Sequence, residues 1–80
     1  MLNTIRPLRY AMKKTQEDVA RAIDVRLGTI NSIENGMYIP NLLIAMKLCE
    51  YFNVKMETLF IMEEKDRQSK KDEDNILREP

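Results

Sequence analysis

Residues 15 to 36, TQEDVARAIDVRLGTINSIENG, constrain the fold most, because they hold two short helical patterns with only a few residues between them. Thr15 is a favourable N-cap and Asp18 stands three positions later, so a helix is predicted to start at Gln16. Its apolar stripe consists of Val19, Ala20 and Ile23. A helix of about two turns cannot bury this stripe alone and needs a neighbour.

The second pattern follows a tight bend, for which Asp24 tolerates the left-handed conformation better than most residues do. The second helix is predicted to run from about Arg26 or Leu27 to Asn35, with Gly36 as its left-handed stop. Its buried side carries Ile30 and Ile33. Its outer side carries Arg26, Gly28, Thr29, Asn31, Ser32 and Asn35.

Two short helices joined by a tight turn form the geometry that places a helix in the DNA major groove. The sequence between about Ile5 and Phe60 resembles the phage repressor and Cro family of helix-turn-helix proteins, also called the xenobiotic-response-element family. The resemblance is carried by Thr15-Gln16-Glu17, Val19-Ala20, Ile30 and Ile33-Glu34-Asn35-Gly36. It implies an all-α, five-helix, repressor-like domain with the helix-turn-helix at helices 2 and 3.

Eighty residues correspond to one domain, and we predict that residues 1–62 form it. The chain has no apolar run of membrane-spanning length and no secretory signal, so a cytoplasmic protein without membrane contact is expected. The single cysteine, Cys49, cannot form an internal disulfide, and without histidine no metal site is expected. Cys49 is interpreted as a core thiol rather than a redox sensor, and no cofactor is predicted.

Charge is segregated along the chain. Residues 1–62 hold eight basic and six acidic residues, net +2, whereas residues 63–80 hold five basic and seven acidic residues, net −2. A charge of +2 is modest for a DNA-binding domain, so tight binding would need a dimer and well-placed contacts.

The first helix is predicted to have Thr4 as its N-cap, which places Pro7 at the third helical position, and to end near Lys13. Its core-facing residues are Ile5, Leu8 and Met12, and its water-facing residues are Arg6, Lys13 and Lys14. The family resemblance implies that Arg9 pairs with Glu34. The alternative is two solvated charges that contribute about 0–1 kcal/mol.

Asn41 follows Pro40 and can cap a fourth helix, for which Asn53 gives the stop. The predicted core stripe of this helix is Leu42, Ala45, Leu48, Cys49 and Phe52. A short fifth helix from about Met56 would turn Leu59 and Phe60 inward.

Apolar residues outside these stripes predict a homodimer interface, because an 80-residue domain cannot bury them all. The interface candidates are Leu43, Ile44, Met46, Tyr51, Ile61 and Met62. The alternative is an ordinary surface with scattered apolar residues. Ile61-Met62 could also pair as a short strand, with a partner or with the Met1-Leu2 end.

Residues 63–80 form a charged segment with only Ile76 and Leu77 apolar, so we expect the fifth helix to fray into a flexible tail that is disordered or only transiently helical. The alternative is a charged helix supported by pairs such as Lys70 with Asp74. Docked on a protein partner through Ile76 and Leu77, it would resemble the layout of antitoxins.

The DNA contacts divide into phosphate and base candidates. Gln16 opens the second helix and is assigned to the DNA backbone. Weaker phosphate candidates are Thr15, Lys13, Lys14, Asn35, Tyr38 and Asn41. Arg26 can bind guanine with two hydrogen bonds, and Asn31 can pair with adenine. The full set of base-reading candidates is Arg26, Leu27, Gly28, Thr29, Asn31 and Ser32.

Catalysis is excluded by the residue inventory, because no nucleophile with an adjacent base can be assembled without histidine. The sequence therefore predicts a regulator that binds double-stranded DNA specifically, as a repressor and a homodimer on a two-fold operator. The rival hypothesis is an antitoxin-type or other protein-interaction module that uses its tail.

Overall fold

The computed structural model describes residues 1–67. Its elements are β1 (Leu2–Asn3), α1 (Ile5–Ala11), α2 (Gln16–Ala22), α3 (Leu27–Glu34), α4 (Leu42–Phe52), α5 (Met56–Leu59), β2 (Phe60–Ile61) and α6 (Glu64–Arg67). The predicted helical domain, with the helix-turn-helix at its second and third helices, is confirmed. The described part of the chain adds two features to the five predicted helices, a small sheet and α6.

The core lies where α1 to α5 converge, and it consists of Ile5, Val19, Ala20, Ile23, Ile30, Ile33, Leu48, Phe52 and Leu59. Every one of these residues lies on a predicted apolar stripe. Because α2 with its C-cap Ile23, together with α3, contributes more than half of the core, the helix-turn-helix is part of the scaffold itself. None of the helices in residues 1–67 is long and apolar enough to cross a membrane.

The turns that set the helix ends follow local rules. Thr15 and Asp18 form a reciprocal capping box, in which the Thr15 hydroxyl oxygen accepts from the Asp18 N–H at 3.0 Å. Asp24 has a φ of 59° and Gly36 a φ of 72°, as predicted for the bend and for the stop of α3. Asn53, with a φ of 55°, ends α4 in the same left-handed conformation.

The two ends of the domain meet in an antiparallel pair of short strands, with Leu2 opposite Ile61 and Asn3 opposite Phe60. The intramolecular alternative for the Ile61 segment is therefore the one observed. The Asn3 side-chain amide also donates to the Ile33 carbonyl at 2.8 Å. Strand β1 thus connects the end of α5 to the end of α3.

The fifth helix does not fray into a tail, because it ends at Leu59 and β2 follows directly. Beyond β2, the carboxylates of Glu63 and Asp66 lie 3.0 and 3.4 Å from the Met1 amino group. The predicted mobility of the tail, its alternative helix and the docking residues Ile76 and Leu77 fall on residues 68–80, outside the described residues.

Two predicted core residues are exposed. Met12 is 40% exposed because α1 ends at Ala11, so the helical spacing that would turn Met12 inward stops one residue too early. Leu42 is 70% exposed because it is the first residue of α4, ahead of the part of the helix that packs on the core. Cys49 is half-buried against the core, and burial raises the pKa of its thiol.

Candidate nucleic-acid interface

The outer face of α3 is an exposed polar surface on a rigid support. Ile30 and Ile33 anchor the helix in the core, at 0% and 1% exposure, so the opposite face is held toward solvent. Arg26 is the exposed N-cap of α3, and Leu27, its first residue, is 49% exposed. An open hollow beside the helix is lined by Arg26, Gly28, Thr29, Ser32, Met37 and Tyr38.

This hollow gathers four of the six base-reading candidates and leaves two, Leu27 and Asn31, outside its lining. Thr29 and Ser32 are half-buried in its wall. Met37 belongs to it although sequence analysis did not select this residue. The sequence signal for Met37 was its position directly after Gly36, because the chain must turn back there along the end of α3.

Gly28 is not required by packing in the domain, since a Cβ built on it would meet nothing within 4 Å. Glycine costs roughly 0.8–1.0 kcal/mol relative to alanine inside a helix, and less in the first turn. The space beside Gly28 opens onto the outer face of α3, where a backbone without a side chain allows another molecule to approach closely.

The phosphate candidates cluster where α1 turns into α2. Lys13 and Lys14 are exposed, and Lys13 has a left-handed φ of 57° that brings the chain back toward the start of α2. Thr15 accepts the Asp18 N–H through its hydroxyl oxygen. The hydrogen bonds from the Thr15 backbone and hydroxyl lower the pKa of the Asp18 carboxyl.

The remaining phosphate candidates lie around the C-terminal end of α3. Tyr38 is 44% exposed at the rim of the hollow. Asn41 caps α4 by accepting the Ile44 N–H at 2.9 Å, so its amide nitrogen remains available as a donor. Asn35, the C-cap of α3, takes part in a hydrogen-bond network with neighbouring side chains.

Arg9 and Glu34 form an ion pair that joins α1 to the end of α3. The Arg9 Nε lies 2.8 Å from the Glu34 Oε2, and the Arg9 Nη2 lies 3.1 Å from Oε1. The Arg9 side chain is 9% exposed and that of Glu34 is 0% exposed. Desolvation opposes ionisation of Glu34, but hydrogen bonds from Arg9, Gln16 and Arg6 together hold its pKa below the usual value.

Arg6 also contacts Glu34, although its position on the first helix predicted a side chain that faces water. Its Nε lies 3.2 Å from the Glu34 Oε1, and its Nη2 donates to the Asn35 Oδ1 at 2.9 Å. The Asn35 amide then donates to the Asn31 Oδ1 at 3.3 Å, and Gln16 donates to the same oxygen at 3.3 Å. Polar side chains therefore connect α1, α2 and the outer face of α3.

Comparison with known proteins identifies this arrangement. A family profile described as helix-turn-helix matches residues 5–59, which include all of α1 to α5. The chain belongs to the helix-turn-helix family. Within the helix-turn-helix family, the pattern is of the Cro/C1 type that the sequence resemblance indicated.

Relatives in several organisms support the assignment. The chain is 38% identical over 66 residues to YgzD, a protein of Bacillus subtilis named as an HTH-type transcriptional regulator, covering 82% of this chain and 100% of YgzD. It is 41% identical over 64 residues to a protein of Methanocaldococcus jannaschii with the same type of name, covering 80% and 97%. A similarly named protein of Archaeoglobus fulgidus is 37% identical over 71 residues, covering 89% and 100%.

The family and the exposed helix-turn-helix together establish the general activity. The protein is a DNA-binding transcriptional regulator, and its family is not enzymatic.

Proposed function

We propose that this regulator is a repressor, which binds a two-fold operator in the cytoplasm as a homodimer and acts by occupying the promoter. The observation that carries the proposal is the outer face of α3, where a hollow lined by Arg26, Gly28, Thr29 and Ser32 lies beside an exposed helix whose other face is fully buried. This face suits insertion into the major groove, and Arg26 lies at the N-terminal end of α3, which enters the groove first.

Arg26 is the strongest candidate for a base-specific contact. Its side chain is exposed at the N-cap of α3, and a guanidinium can donate two parallel hydrogen bonds to the O6 and N7 atoms of guanine. Such a contact provides about 1–3 kcal/mol of discrimination. Phosphate contacts from Lys13, Lys14 and Tyr38 would fix the register of the helix without adding sequence information.

The homodimer is supported by exposed apolar side chains on α4 and after α5. Leu43 is 61% exposed, Met46 is 52% exposed, and Ile61 and Met62 are 45% and 51% exposed. The other two interface candidates, Ile44 and Tyr51, are half-buried and pack against the core, so they offer less surface to a partner than the sequence indicated. Leu42 and Ile39, at 70% and 60% exposure, line one groove and add further exposed apolar surface.

Dimerisation would also offset the low charge of the domain. A net charge of +2 over residues 1–62 provides few counterion-releasing contacts for one copy. Two copies related by a two-fold axis double those contacts and place two α3 helices on one face of the duplex, which matches a two-fold operator.

Two substitutions test the division of roles within the site. Arg26→Ala is expected to reduce discrimination at one base position by about 1–3 kcal/mol. Gln16→Ala is expected to weaken binding while leaving discrimination at that base position unchanged, since a phosphate contact carries no sequence information. The affinity of each variant for operator and random duplexes measures these effects. If Arg26→Ala weakened binding without changing discrimination and Gln16→Ala reduced discrimination, the assignment would be contradicted.

Sedimentation of the full chain tests the dimer, with Leu43→Glu as the variant expected to dissociate it and Lys55→Glu as a control outside the apolar region. A monomeric wild-type protein would contradict the proposed homodimer. If the monomer also failed to bind duplex DNA, the rival hypothesis of a protein-interaction module would be favoured, because the same exposed apolar surface suits a different protein partner.

A further inference from the structure

A chain of side-chain amides runs across the proposed reading face, and one of its ends is a guanidinium, which can only donate hydrogen bonds. At one end, the Arg6 Nη2 donates to the Asn35 Oδ1 at 2.9 Å. From there, the Asn35 Nδ2 donates to the Asn31 Oδ1, and the Gln16 Nε2 donates to that oxygen from the other side, each at 3.3 Å.

The guanidinium of Arg6 determines which way the Asn35 amide faces. A guanidinium has only donors, so Arg6 requires the oxygen of Asn35 on its side and turns the Asn35 nitrogen toward Asn31. Gln16 likewise presents its Nε2 to the Asn31 oxygen, at 3.3 Å. Both neighbours therefore present N–H groups to Asn31, and only the Asn31 oxygen can meet them.

These contacts determine which groups Asn31 exposes to solvent. Its oxygen has two lone pairs and accepts two hydrogen bonds, from Gln16 and Asn35. Its Nδ2 has no acceptor among residues 1–67, and the residue is exposed on α3. Pairing with adenine needs one donor and one acceptor from the same amide, and the acceptor is already engaged within the protein.

We propose that Asn31 is a specificity-determining residue that offers DNA only N–H donors and selects guanine, and that Arg6 is a positioning residue for it. Guanine is the base whose major-groove edge presents two acceptors, O6 and N7, and no donor. The inference rests on the proposed function, since it assigns a base preference to the same face of α3.

Selection of preferred sites from a randomised duplex pool tests the proposal, with wild type, Asn31→Ala and Asn31→Asp compared. The wild type is expected to favour guanine over adenine about tenfold at one position, and Asn31→Ala is expected to lose this preference. The carboxylate in Asn31→Asp can still accept from Gln16 and Asn35, but it has no donor. This variant is therefore expected to move the preference to cytosine, whose N4 is a donor.

Three results of the selection would overturn the proposal. In the first, the wild type prefers adenine at the position where Asn31→Ala loses its preference. In the second, Asn31→Ala loses affinity for all sequences alike with no change in preference. In the third, Asn31→Asp keeps the base preference of the wild type. The second result would make Asn31 a phosphate contact instead.

Amide proton exchange in the free protein separates this inference from the proposed function. One side-chain amide proton of Gln16 and one of Asn35 are expected to be protected, while both of Asn31 exchange freely with water. Arg6→Lys, which retains a donor-only group, is expected to keep this pattern, and Arg6→Met is expected to lose the protection at Asn35. Protected Asn31 protons with a freely exchanging Asn35 amide would overturn the inference, even if no duplex were bound.

Discussion

Replacing Arg9 with methionine tests the contact that holds the end of α3 against α1. Methionine keeps an unbranched apolar stem but removes the hydrogen bonds to Glu34 at 2.8 and 3.1 Å and the one to the Lys14 carbonyl at 3.0 Å. Glu34 then carries its negative charge at the C-terminal end of a helix, where the helix dipole is unfavourable for it.

The expected cost follows from the burial of the pair and from the one arginine that remains. Breaking a buried ion pair costs about 3–5 kcal/mol. The Arg6 Nε stays 3.2 Å from the Glu34 carboxylate, so we expect the lower end, about 3 kcal/mol. The whole domain is stable by about 4–12 kcal/mol. With a shift of about 4–8 °C per kcal/mol, the melting temperature should fall by about 12–24 °C.

Thermal and urea unfolding followed by circular dichroism measure this loss, with Arg6→Met as the matched control. The Arg6 side chain is 49% exposed, and its pair with Glu34 should contribute only about 0–1 kcal/mol. Combining Arg9→Met with Glu34→Leu should recover part of the stability, because no unpaired charge remains buried. If Arg9→Met cost no more than Arg6→Met, the reasoning about the buried pair would be wrong.

Three further perturbations have definite expected outcomes in the same unfolding assays. Gly28→Ala should stabilise the domain by about 0.4–1 kcal/mol, because the added Cβ meets nothing within 4 Å; a loss of stability would contradict this. Asn53→Ala should cost about 1–2 kcal/mol at a φ of 55°, whereas Asn53→Gly should be nearly neutral; equal effects would refute a conformational cause. Acid should destabilise the domain, since the folded-state pKa of Glu34 is lowered. That stability is present above the unfolded pKa of about 4.3 and is lost as the pH falls through the folded pKa, so a flat acid titration would contradict it.

The features that the sequence predicted well depend on neighbouring residues. The Thr15–Asp18 capping box, the bend at Asp24 and the stop at Gly36 each follow from the chemistry of a few adjacent residues. The apolar stripes of α2 and α3 became core because each has a helical period and a close neighbour. Arg9 and Glu34 are far apart in sequence, and only the family resemblance implied their contact.

The features that the sequence did not predict depend on where a helix ends or on distant partners. Met12 and Leu42 both continue apolar patterns. Met12 lies just past the end of α1, and Leu42 is the first residue of α4. The β1–β2 pair involves two residues on each side, too few for an alternating pattern. The place of Arg6 beside Asn35 and Glu34 required the packing of α1 on α3.

The central claim is that the outer face of α3 binds DNA, and a salt titration of duplex binding tests it most directly. Fluorescence anisotropy with the full chain and a random duplex should show affinity falling linearly with salt on logarithmic axes, by about 0.9 per phosphate contacted. Arg26→Glu should weaken this binding strongly. Lys55→Glu makes the same charge change before α5, which packs on α4, and should have a smaller effect. Absence of binding at low salt, affinity independent of salt, or equal effects of the two variants would contradict the claim.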